Sequence, residues 1–279
     1  MRIALGIALL GIGGSFCFGQ AGNVKFAASV SGEDRVSLVR SSVDIPTWHE
    51  KSFWPIYEDY VASAEEAALN NYRSLEKLAA IDRVASAEEA VHDAEQMMAT
   101  RNEVLRIRRQ YYQEMANTLN GVISMQFLQT ELLLDMVETS KIYEVSPWKK
   151  YRFHPNALTE GQMKTAKRNT MTAALQLTKE EAEWFWKIYD QYEEHCDAIL
   201  GKDYSLISLY AGEPSDFTPA LAKRLGSDLL VLMERESKLK EEYFYKVRNS
   251  IGANLAARFL AWEDYYSLVS KMHAWADAP

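Results

Sequence analysis

The chain has 279 residues, of which 48% are hydrophobic and 25% charged, the balance of a globular protein with enough length for one large or two modest cores. Its net charge of −8, with no basic patch interleaved with aromatics, argues against nucleic acid as a partner.

At the N-terminus Arg2 precedes the apolar run from Ile3 to Leu10, which is too short for a stable bilayer anchor. Small residues follow, so residues 1–19 read as a secretory signal peptide, cut after Gly19 or after Ala21. Phe16 stands where a lipoprotein site requires a small residue ahead of Cys17, which favours export without a lipid. Residues 20–42 are small, polar and aperiodic, and read as a flexible leader. With Cys17 removed, Cys196 is the one remaining cysteine and no internal disulfide can form. No later stretch has the length and apolarity of a transmembrane helix, so the expected location is periplasmic or secreted.

The chain then repeats itself. Phe53-Trp54-Pro55-Ile56-Tyr57 returns as Phe185-Trp186-Lys187-Ile188-Tyr189, an offset of 185 − 53 = 132. The same register pairs Tyr72 with Tyr204, Tyr111 with Tyr243, Phe127-Leu128 with Phe259-Leu260 and Glu131 with Glu263. One ungapped offset over that distance predicts a tandem duplication.

Each copy reads as helices. Phe53, Ile56, Tyr57 and Tyr60 recur at helical spacing, as do Phe185, Ile188, Tyr189 and Tyr192. Thr47 with Glu50 and Thr178 with Glu181 have capping-box spacing ahead of these faces. Pro55 inside the first helix predicts a lost backbone bond and a kink. A long second helix starts at Ser86 in one copy and at Thr218-Pro219 in the other. Met97, Thr100, Val104, Ile107, Tyr111 and Met115 supply its bundle seam, and Leu229, Leu232, Glu236, Leu239, Tyr243 and Val247 answer them. Asn120-Gly121 and Gly252 mark turns before a third helix. No strand alternation is sustained anywhere. The expected fold is all-α, two tandem three-helix repeats (43–140 and 175–279) packed as a helical bundle. Between them lies a locally basic connector, 141–174, with no evident counterpart before the first copy.

Leu177-Thr178 with Glu181, then Phe185-Trp186-x-Ile188-Tyr189, then Arg258-Phe259 and Glu263 resemble the Spy/CpxP-like periplasmic proteins, the LTxxQ group. The second copy carries the resemblance best; the first has Gln126 at the place of Arg258. The resemblance implies a helical hairpin-like fold and a role in envelope stress, either binding unfolded proteins or damping a stress sensor. Family members pair into a curved cradle, and a duplicated chain could supply both halves as a monomer or pseudo-dimer.

No phosphate loop, nucleophile elbow or repeated histidine suggests catalysis, so no enzyme and no cofactor are expected. Trp54 and Trp186 lie off the apolar faces of their helices and are the candidate contacts for an unfolded or envelope-protein partner. His195 and Cys196 are a second candidate, as metal ligands. Adjacent residues diverge by about 100° on a helix, which works against chelation by both. Three functional readings result: an exported chaperone-like or stress-regulatory binding module, a periplasmic metal-binding sensor, and a non-catalytic envelope scaffold.

Overall fold

The computed structural model describes residues 35–81, 86–146, 160–210 and 218–276, with backbone alone at 145, 160–164, 200–210 and 270–276. The expected signal peptide (1–19), most of the expected leader and much of the expected connector lie outside these residues. The described residues are all-α and hold eight helices packed together. They are α1 (Arg35–Ser42), α2 (Thr47–Ala80), α3 (Ala87–Thr118), α4 (Gly121–Val145), α5 (Glu160–Leu175), α6 (Lys179–Tyr210), α7 (Pro219–Ser250) and α8 (Ala253–Ala276). No helix among them is long and apolar enough to cross a membrane.

Local chemistry explains most of the helix starts. Ser86 accepts from the Glu89 amide while Glu89 accepts from the Ser86 amide, a closed capping box at α3. Thr178 and Glu181 make the same reciprocal pair at α6. Thr218 accepts from the Leu221 amide ahead of Pro219, and Asn120 takes the Val122 and Ile123 amides at α4. The box expected at Thr47 and Glu50 does not form. Thr47 is already helical and Pro46 takes the cap position, where its side chain offers no acceptor. Helix α2 then runs through Pro55 to Ala80.

Two expectations about the segments ahead of the repeated motifs are corrected, the flexibility of the leader up to residue 42 and the connector's lack of a counterpart before the first copy. Arg35 to Ser42, placed in the flexible leader, form α1, which rests on α4 and buries Leu38 and Val39. The connector likewise contains α5, and Lys141 to Val145 continue α4. The two short segments share the 132 offset: Arg35, Val39 and Val43 answer Lys167, Met171 and Leu175. Each of the four apolar members is buried.

The long helices α3 and α7 lie antiparallel. Asn117 accepts from Lys223 at 2.6 Å, Arg109 pairs with Glu234 at 2.6 Å, Ser237 donates to Asn102 at 2.7 Å and Tyr245 to Glu95 at 3.1 Å. Residue numbers fall along one helix as they rise along the other. Each helix, on the order of 48 Å long at 1.5 Å per residue, therefore reaches both of the apolar cores. One core gathers Phe53, Tyr57, Tyr60 and Phe127 and is closed by Ala222 and Leu230 of α7. The other gathers Phe185, Tyr189, Tyr192 and Phe259 and is closed by Leu75 and Leu78 of α2 and Met97 of α3. Neither core is built from one end of the chain alone.

Candidate functional site

The repeated aromatics surround buried carboxylates. Phe53 stacks on Tyr57 at 5.8 Å between centroids and 11° between planes; Phe185 stacks on Tyr189 at 5.6 Å and 21°. Phe127 meets Tyr60 edge-on at 4.9 Å, and Phe259 meets Tyr192 edge-on at 5.5 Å. Tyr60 donates to Glu131 at 2.7 Å with Tyr57 at 3.3 Å, and Tyr189 donates to Glu263 at 2.6 Å. A cation from the preceding short helix completes each group: Arg35 on Glu131, and Lys167 at 3.7 Å from Glu263 and 3.3 Å from Glu193. Burial, then the adjacent carboxylate, pushes the phenols of Tyr57, Tyr60, Tyr189 and Tyr192 above their usual value. A carboxylate satisfied by two hydroxyls or by a hydroxyl and an ammonium is a structural tie, sealed from any substrate.

The difference between Gln126 and Arg258 follows from the same junction. Gln126 accepts the Asp44 amide just after α1. Arg258 donates to the last carbonyls of α5, 2.6 Å to Ala174 and 2.8 Å to Leu175, where the negative end of the helix favours a cation. Both residues brace the link between a short helix and the aromatic one.

Trp54 and Trp186 are half-buried. Each lies edge-on to its neighbouring Phe and Tyr and is covered by an arginine, Arg40 at 4.2 Å and Arg168 at 4.9 Å. The indoles that stand out into solvent are others, Trp48 at 76% exposure and Trp184 at 60%.

His195 and Cys196 part as the helix geometry requires. His195 is exposed, with Nδ1 2.8 Å from the Tyr243 hydroxyl. Cys196 is packed against the second core, where burial pushes its thiol up to about 12. Among the described residues no group of three or more His, Cys, Asp or Glu side chains is placed to hold a metal ion.

A charged cleft of about 140 Å³, with no counterpart in the sequence reading, lies between α2, α3, α4, α7 and α8. Arg101 grips Asp264 with two bonds of 2.7 and 2.6 Å. Lys240 lies 2.8 Å from Glu236 and 3.2 Å from Asp264. Arg108 faces Asp135 at the longer 3.4 Å, and Tyr72 donates to Asp135 at 3.0 Å. Burial pushes Asp264 up, yet Arg101 and Lys240 together hold it below the usual carboxylate value. Arg108 and Lys240 answer each other under the 132 offset, whereas Asp135 answers Ser267 and Asp264 answers Leu132. Glu236 answers Val104 in the seam, so no carboxylate of the cleft is repeated as a carboxylate.

Comparison with family models, with curated proteins and with solved structures finds no match.

Proposed function

We propose that this is an exported, non-catalytic binding protein in which a duplicated helical unit supplies both halves of the bundle, of the kind the Spy/CpxP-like resemblance implies. The observation that carries the reading is the pair of exposed indoles at the starts of α2 and α6. Trp48 and Trp184 present large apolar faces to water beside charged neighbours, the composition of a surface that meets another protein. The recurrence of the aromatic and carboxylate contacts 132 residues apart supports the duplication. The N-terminal apolar run supports export.

The client surface in this reading is Trp48 and Trp184 rather than the half-buried Trp54 and Trp186, since exposure separates the two pairs even though Lys187 lies 4.7 Å over the Trp184 ring. A several-fold excess of the mature protein should suppress light scattering by a heat-denatured client. Trp48→Ser with Trp184→Ser should lower that suppression while helical circular dichroism stays unchanged. Absence of suppression by the wild type would refute client binding.

A further inference from the structure

We propose that the central cleft is a binding site for a small zwitterion, a free α-amino acid with a short apolar side chain. Six charged side chains line it, Arg101, Arg108 and Lys240 against Asp135, Glu236 and Asp264, and their formal charges cancel. In each ion pair one member is buried and the other is partly exposed. Asp264, Arg108 and Lys240 form the base at 4, 3 and 7% side-chain exposure. Arg101, Asp135 and Glu236 form the rim at 22, 30 and 25%. A ligand entering from the rim therefore meets one guanidinium and two carboxylates.

That arrangement selects by charge. A lone anion or a lone cation would leave an uncompensated charge in a cleft that is already neutral, and such a charge is costly away from water. A zwitterion adds none: its carboxylate answers Arg101 and its ammonium answers Asp135 and Glu236. Between the charges the wall is mixed: Leu75, Val104 and Leu105 are buried and the adaptable thioethers of Met136 and Met233 half-buried, with Asn71, Thr139, Ser237 and Ser267 among them. The volume equals roughly four or five waters, room for a short side chain and little more. The proposal rests on the cleft alone and is independent of Trp48 and Trp184.

Isothermal titration of the mature full-length chain with glycine, L-alanine and L-valine tests it, with acetate and methylammonium as single-charge probes. At least one amino acid should bind, and neither single-charge probe should. Glu236→Gln, which leaves Lys240 its contact with Asp264, should weaken binding roughly tenfold or more through loss of a charge-assisted bond. Met233→Trp should block the cleft and abolish binding, with circular dichroism reporting whether the helices persist. If that variant does not fold, Glu236→Gln decides. No heat with any of the three amino acids at millimolar concentration overturns the proposal. So does binding of acetate or methylammonium with equal strength, or wild-type affinity in Glu236→Gln.

Discussion

The buried aromatic and carboxylate groups carry the largest single-residue consequences. Phe53 and Phe185 are fully buried, each stacked on a tyrosine and flanked by a tryptophan, so truncation leaves a cavity walled by stiff rings. Phe53→Ala and Phe185→Ala should each cost about 3–5 kcal/mol in urea unfolding. A loss below about 1 kcal/mol at either site would contradict the packing described. The tyrosines set a pH limit. Tyr57, Tyr60, Tyr189 and Tyr192 ionise above their unfolded value in the fold because burial, and then a carboxylate, disfavours the phenolate. Below about pH 10 both folded and unfolded chains keep these protons, and the stability is fully present. As pH rises further, the unfolded chain releases protons that the folded one retains, so stability falls. Cooperative loss of helix should coincide with the last part of the tyrosinate absorbance to appear; ionisation of all 15 tyrosines near pH 10 in a chain still helical would contradict it.

Among the elements, what was legible in the sequence was what local residues decide. The boxes at Ser86 and Thr178 and the cap at Thr218 involve partners three residues apart, and they form where the spacing put them. The Thr47 cap failed for an equally local reason, because Pro46 moved the helix start by one residue. The correspondence between α1 and α5 escaped notice because residues 35–46 and 167–178 share no identical residue at the 132 offset, and only apolar character at a few positions persists. The cleft was illegible because five helices assemble it and none of its three carboxylates has an acidic counterpart at the 132 offset, Glu236 answering Val104 in the seam. Contact between elements also explains Gly121. A Cβ there would lie 1.8 Å from the Pro219 carbonyl oxygen and 2.6 Å from the Lys223 amide nitrogen, so α4 can meet the start of α7 only through a glycine. Gly121→Ala should force these backbones apart and lower stability by about 1–3 kcal/mol or more in chemical denaturation. An unchanged midpoint would mean that α4 and α7 are not in contact there.

At the scale of the whole molecule, the sharing of cores between distant parts of the chain governs how it unfolds. The core around Phe185 is closed by Leu75 and Leu78 of α2 and by Ala90, Ala94 and Met97 of α3. The core around Phe53 is closed in turn by Ala222 and Leu230 of α7. Ion pairs cross the same boundary: Arg101 holds Asp264 and Arg109 holds Glu234. Unfolding residues 160–276 alone would therefore bare the apolar face of α2 and α3 and strand Arg101 without its carboxylate. Intermediates of that kind are penalised by both exposed apolar area and an unpaired charge. The mature chain should melt in one transition, with calorimetric and van't Hoff enthalpies equal within error. A fragment ending at Ser146 should be unfolded, or should pair with a second copy that covers the face α7 and α8 normally occupy. Scanning calorimetry of the full chain and sedimentation of the fragment decide the matter. Two resolved transitions, or a fragment that is folded and monomeric, would mean that the halves are independent and that the cores they share contribute little to holding them together.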